Sequence, residues 1–332
     1  MRALILLLTL VLSGSAFADG GWHEIARHTI GGDGGWDCLI NDDAARRLYI
    51  ARANRILIVD SDSGAKISEI TGLEGAHGVA LVKDLNKGFA SSGKTNELIA
   101  FDLNTFKILE RIKVGENPDI VIYDESSKHV LSFNGKSHDV SAVDPSTMKV
   151  IKTMALPGKP EFAVADGRGQ VFVNLEDKSE TASFSSKSLK MGKTFKLAPC
   201  EEPSGLALDR AGHRLIVGCG NKMAVLVNAQ TGKVLQTFPA GEHIDGAAFD
   251  SVRKVAYVSA GEGLLTVLKK KGSAFEAAQS VTTVKGARTL GVDEKTGHVF
   301  LPMAKYDPIK PGERRPSVTP GTFALLVIGQ EK

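Results

Sequence analysis

The chain has 332 residues, with 41 Lys and Arg against 38 Asp and Glu, 35 glycines and 6% aromatic residues. A formal charge of +3 gives no electrostatic argument for nucleic acid or an anionic surface as partner. Abundant glycine with few large aromatics argues against a mainly helical chain and fits short strands joined by turns.

In chain order, Met1-Arg2 supplies a short positive start and Ala3 to Leu12 an uncharged apolar run. Ala16-Phe17-Ala18 then forms a small-x-small site before Asp19. This is the pattern of a secretory signal peptide, with an apolar run too short for a bilayer span. The expectation is cleavage near Ala18, a single domain over 19–332, and a periplasmic or secreted location. No later run is apolar for long enough to predict a transmembrane segment, and a monomer is expected.

From Trp36 onward a unit recurs. A short apolar strand ends near Asp, and a second strand follows a polar turn. A third strand ends near Asp or Asn, and a Gly-Lys-like turn leads to the fourth. The copies WDCLINDDAARRLYIARANRILIVDSDSGAKISEITG (Trp36 to Gly72) and PSGLALDRAGHRLIVGCGNKMAVLVNAQTGKVLQTFPAG (Pro203 to Gly241) both show it. The positions opening the first strand are Trp36, His77, Pro118, Pro160, Pro203, Ile244 and Ala287, separated by 41 to 43 residues. Such regularity predicts four short strands per blade and a seven-bladed, all-β propeller. The seventh copy (Thr289–Asp293, His298–Pro302, Phe323–Ile328) lacks a fourth strand. Trp22–Ile30 at the other end supplies it, closing the ring and protecting its edges.

Two local patterns carry less than they suggest. Gly88 to Thr95 satisfies the P-loop pattern G-x-x-x-x-G-K-[ST], but Glu97–Asp102 after it reads as a third strand rather than a helix. Lys269-Lys270-Lys271 reads as a hairpin tip facing solvent. The sequence also lacks C-x-x-C-H, H-E-x-x-H and G-x-S-x-G, the signatures of covalent haem, a zinc peptidase and a nucleophile elbow.

The units RLYIARANRILIVDSDSGAKI and RLIVGCGNKMAVLVNAQTGKVLQTF resemble the repeat of the YVTN β-propellers, and more narrowly the YncE-like group of exported bacterial propellers. The resemblance covers nearly all of the chain after the leader. It implies the propeller fold and export. Related seven-bladed propellers include lactonases, lyases and the cofactor-bearing domain of nitrous oxide reductase, so activity has to be argued from the site.

In a propeller the first strand of each blade lines the central channel, and side chains at one register converge on the axis. One residue past the anchors, the ring reads Asp37, Gly78, Asp119, Glu161, Ser204, Asp245 and Arg288. One residue before them it reads Gly35, Ala76, Asn117, Lys159, Glu202, His243 and Gly286. The candidate ligand site is therefore Asp37, His77, Asn117, Asp119, Glu161, Glu202, His243, Asp245 and Arg288. Oxygen ligands suit a hard cation such as Ca²⁺, and His77 with His243 would suit a transition metal, so a divalent cation is the cofactor considered. A solvated polar channel is the bland alternative. Arg288 among acids reads as a structural counter-ion, and His77 could pack on the channel wall.

Three cysteines fit an oxidising compartment. Cys200 precedes the first strand of blade five and Cys219 ends the antiparallel second, so a disulfide is expected between them. Cys38, beside Leu39 and Ile40, is expected to be a buried, inert thiol. Met303 to Gly321 (MAKYDPIKPGERRPSVTPG) is the longest irregular stretch. With Lys305, Lys310, Arg314 and Arg315 it reads as a basic loop, a binding element or a solvated insertion. The functional expectation is a binding or scaffold protein of the cell envelope, using the channel mouth and the 303–321 loop for a small molecule or an envelope protein. The alternative is a metal-assisted hydrolase or lyase of lactonase type using the channel carboxylates.

Overall fold

The computed structural model describes residues 20–309, 312 and 316–330. The leader expected from the sequence, with cleavage near Ala18, lies outside these residues, as do Lys310, Arg314 and Arg315 of the long loop.

Blade one shows how each repeat makes a sheet. Its strands are Leu39–Asp42, Arg47–Arg52, Arg55–Asp60 and Lys66–Thr71, paired antiparallel in that order. The two middle strands are apolar on both faces, and Leu48, Tyr49, Ile50, Ile56 and Ile58 are wholly buried. They are buried because neighbouring sheets cover them on either side. Tyr49 and Ile58 of blade one join Val79, Ala90 and Ile99 of blade two in one cluster, and the pattern repeats round the ring. The outer strand, open to water along one edge, is mostly exposed, and in blade one only Ile70 of Lys66–Thr71 is buried.

The Asp and Asn positions of the repeat fold the turns. Asp60 Oδ1 accepts from Ser63 N at 2.8 Å, Asp102 Oδ1 from Thr105 N at 2.7 Å, and Asn228 Oδ1 from Thr231 N at 2.9 Å. Each side chain stands in for a backbone acceptor, which is why Asx residues recur where the third strand ends. At the first-strand ends, Asp250 and Asp293 make the same turn.

Seven such sheets occur among the described residues, and no helix there is longer than one 3-10 turn. The inner strands are Leu39–Asp42, Ala76–Val82, Pro118–Asp124, Pro160–Ala165, Pro203–Asp209, Ile244–Asp250 and Gly291–Asp293. Blade seven combines both ends of the chain as its pattern predicts. Trp22–Thr29 pairs antiparallel with Ala324–Gln330, in register from Trp22 opposite Gln330 to Thr29 opposite Ala324. Ile30 is just past the strand, and its N–H donates to the Phe323 carbonyl at 3.0 Å. Glu97–Asp102 is the third strand of blade two, and Gly93–Thr95 is an isolated 3-10 turn, so the P-loop pattern has no helix to serve.

The disulfide between Cys200 and Cys219 is present, with Cα atoms 5.4 Å apart. Three expectations need correction. Lys270 does not face solvent: its ammonium pairs with the buried Asp209 of blade five, stitching blades five and six. Cys38 is half-buried rather than buried, because it sits on the channel wall. Blade two is out by one residue. Ala76 pairs with Ser92 as Pro118 pairs with Asn134 and Ile244 with Ala260, so Ala76, not His77, opens that strand. The carbonyl of Gly75 accepts from Gly93 N, as those of Asn117 and His243 accept from Gly135 and Gly261. Side chains alternate along a strand, so the slip places His77 in the channel ring and Gly78 outside it.

Candidate channel-mouth binding site

With that register the ring reads Asp37, His77, Asp119, Glu161, Ser204, Asp245 and Arg288, and every one lines a single cavity of about 1410 Å³ at the mouth. Gly78 serves packing instead. A Cβ there would lie 2.7 Å from the Asp119 carbonyl oxygen and 2.9 Å from Val121 N, so a side chain would push apart the inner strands of blades two and three.

Two networks hold the ring. His77 Nδ1 lies 2.6 Å from Asp37 Oδ2 and 3.9 Å from Asp119 Oδ1. Arg288 Nε donates to Asp245 Oδ2 at 2.6 Å, and its Nη2 lies 3.8 Å from Asp37 Oδ1. Arg288 is thus a counter-ion between two acids, and it also donates to the Trp36 carbonyl at 3.1 Å. Ser204 Oγ donates to Asp245 Oδ1 at 3.0 Å. Lys159 bonds Glu161 Oε1 at 2.8 Å and also pairs with Glu176.

The acids remain under-neutralised. Burial and then the charge of Asp37 push Asp119 up to about 6. Burial and then Asp119 push Glu161 up to about 8. Asp245 is also raised, by burial and Asp37, against the pull of Arg288. His77 is raised by its bond to Asp37. These are the marks of carboxylates crowded in a half-buried site, holding protons where cations are short. The Cys38 thiol, 3.7 Å from Asp37 Oδ1, is pushed well up by burial and by Asp37, so it is a poor nucleophile.

Of the residues named from the sequence, Asp37, His77, Asp119, Glu161, Glu202, Asp245, His243 and Arg288 line the cavity, and Asn117 does not. Asn117 has a left-handed φ of 53° and sits in the turn before its strand, with its side chain near Gly93 and Gly135. Glu202 and His243 occupy the same turn position, with φ of 47° and 57°, and stand exposed at the rim. Missed were Glu176, from a one-turn 3-10 segment in blade four, and Lys285, from the connection into blade seven. Neither has a signal in the repeat. The long loop does reach the mouth. Lys305, Tyr306, Asp307, Ile309, Pro316 and Val318 line it, and a bridge joins Tyr306 to Val318. Tyr306 stacks 5.9 Å from Trp36.

The fold and this axial mouth define a seven-bladed β-propeller. The chain is similar in structure to hydrazine synthase of Kuenenia stuttgartiensis, with 12% identity and a TM-score of 0.70 over 81% of this chain and 92% of that one. It is similar to the WD40 repeats of RRP9 at 9% identity and TM-score 0.79, over 93% of this chain and 100% of that one. U3-55K gives 9% identity and TM-score 0.77, over 92% of this chain and 99% of that one. At these identities the likeness is one of fold alone. No family model matches the sequence, and no curated protein does.

Proposed function

We propose that the protein is an exported, monomeric propeller of the YVTN type, YncE-like, that acts as a binding or scaffold protein through its channel mouth and the 303–321 loop. The leader pattern ending at Ala18 supports a periplasmic or secreted location for a domain over 19–332, and a disulfide suits such a compartment. The observation that carries the binding role is the mouth itself. Five inner strands, with the segments leading into those of blades one and seven, deliver mostly charged side chains to one cavity of about 1410 Å³, above the roughly 300–1,000 Å³ of a small-ligand pocket. Propellers are scaffolds whose loops and mouths receive partners, and this mouth has a charged floor and an ordered aromatic side at Trp36 and Tyr306.

The test is a thermal-shift screen of small molecules and envelope extracts against wild type and Asp245→Ala. Ligands that raise the melting temperature of wild type but not of the variant support the reading. A screen whose hits stabilise both equally removes it.

A metal-assisted hydrolase or lyase is a second reading, favoured by one observation. Donor atoms of Asp37, His77 and Asp119 all lie within 4.8 Å of one another. A His with two carboxylates suits a divalent ion able to polarise a carbonyl. Arg288 beside Asp37 weakens it, since it already answers part of that charge. Metal analysis of the purified protein, with melts before and after chelator, decides it.

A further inference from the structure

Apart from Asp37 and Asp245, which flank Arg288, and Asp307, which accepts from the Thr319 hydroxyl, the charges round the mouth are sorted by side. Asp119, Glu161, Glu176 and Glu202 come from blades three to five, and Lys285, Arg288 and Lys305 from the segments entering and leaving the first two strands of blade seven. In a ring of seven, blade seven faces blades three and four, so the acidic wall stands opposite the side that carries the cavity's two lysines, called here the basic wall. The acidic wall is short of cations: Asp119 has only His77 at 3.9 Å, and Glu161 shares Lys159 with Glu176. On the basic wall the Lys285 and Lys305 ammonium groups form no ion pair among the described residues, and both side chains are exposed. A separate observation falls on that same side. Trp36 is 95% buried (5% exposed) and lines the cavity, yet its indole N–H has no acceptor. An unpaired buried donor is costly and is commonly answered by a ligand or water.

We propose that the mouth binds a dipolar ligand of peptide size, its ammonium or guanidinium group on Asp119 and Glu161 and its carboxylate on the Lys285–Lys305 side beside Trp36. This rests on the reading of the mouth as a binding site and names the ligand class. An isolated cation would leave the lysines and the indole unanswered, and an isolated anion would leave the carboxylates so. The cavity volume accommodates several residues of chain.

Trp36 supplies the readout. The chain has two tryptophans, and Trp22 lies away from the mouth, its indole bonded to the Tyr257 hydroxyl at 3.1 Å. In a Trp22→Phe background, Trp36 emission is titrated with the tripeptide Ala-Lys-Ala bearing free ends, with its C-amidated form, with acetyl-Ala-Glu-Ala, and with Ca²⁺ and Zn²⁺ alone. The free tripeptide should give a saturable change. Asp119→Asn with Glu161→Gln should weaken it at least about tenfold, the cost of one charge-assisted hydrogen bond. Lys285→Ala with Lys305→Ala should weaken the free-carboxyl peptide and leave the amide unchanged. Circular dichroism of each variant confirms the fold. Equal affinity in the carboxylate variant, or saturation by the metal ions but not by peptide, overturns the proposal. So does binding of acetyl-Ala-Glu-Ala in preference to Ala-Lys-Ala, which would still leave the mouth a binding site. A mouth that responds to none of the probes, in a protein whose screen hits ignore Asp245, removes both readings.

Discussion

The guanidinium of Arg52 lies 3.6 Å from the centre of the Phe323 ring. Arg52 ends the second strand of blade one, and Phe323 precedes the strand that the chain's two ends share in blade seven. Arg52 is wholly buried and donates to the carbonyls of Asp33, Gly34 and Gly35 at 2.9 to 3.1 Å. Burial pushes its pKa down to about 10, yet it stays charged at neutral pH. One side chain thus ties the ring's closure to the segment that presents Trp36 and Asp37. Arg52→Met should keep the apolar contact, leave the Gly34 and Gly35 carbonyls without this donor while Asp33 keeps Arg55, and cost about 1–3 kcal/mol in urea unfolding. An unchanged midpoint would contradict this role.

Closure makes a second expectation. Removing Trp22–Thr29 exposes Ala324–Gln330 as an edge of almost wholly buried residues. An open apolar edge invites pairing between chains. The truncated protein should aggregate or lose its cooperative melt, whereas a soluble monomer with the native melt would show that the shared blade is dispensable.

Much of this architecture is legible in the repeat, because Asx turns and doubly apolar middle strands recur at a fixed spacing. The ring is legible only as far as the register. At blade two the sequence Gly75-Ala76-His77-Gly78 offers no proline to mark the strand start, unlike Pro118, Pro160 and Pro203, and a one-residue slip exchanges faces. The partners of Glu161 and the basic wall come from turns and connections outside the repeat, where periodicity says nothing. Arg52 was also invisible, since an arginine at a strand end ordinarily reads as exposed.

The glycine of that slipped register gives a third test. Gly78→Ala places a Cβ 2.7 Å from the Asp119 carbonyl oxygen, against backbone that cannot move aside alone. Destabilisation of about 1–3 kcal/mol is expected, as for overpacking. Weaker ligand binding should accompany it, because the strand presenting Asp119 shifts. Full stability in chemical denaturation would place Gly78 elsewhere.

The raised acids set a pH dependence. Glu161 rises from an ordinary 4.5 to about 8 and Asp119 from 3.8 to about 6. The folded state therefore keeps protons that the unfolded chain has released. Their contribution to stability is full below the unfolded values and is lost as pH rises through about 6 to about 8. Melts at several pH values should show wild type losing stability relative to Glu161→Gln as pH increases across that window. Parallel curves would mean that Glu161 is not perturbed.

Thiol chemistry supplies a fifth. Denatured, unreduced protein should titrate one thiol, Cys38, since Cys200 and Cys219 are paired. Replacing the pair by serine should cost about 2–4 kcal/mol, the loop-closure contribution of a bridge. In the folded protein Cys38 should alkylate slowly at neutral pH, because burial and Asp37 raise its thiol. Rapid alkylation would overturn that.

The central claim is that the mouth is where the protein binds. A crystal structure with the strongest mouth-dependent ligand tests it most directly. Ligand density between Asp119 and Glu161 on one wall and Lys285 and Lys305 on the other is the predicted result. Density confined to the outer strands, or to the cavity around Val79, Val121 and Leu206, with the mouth holding only water, would contradict it.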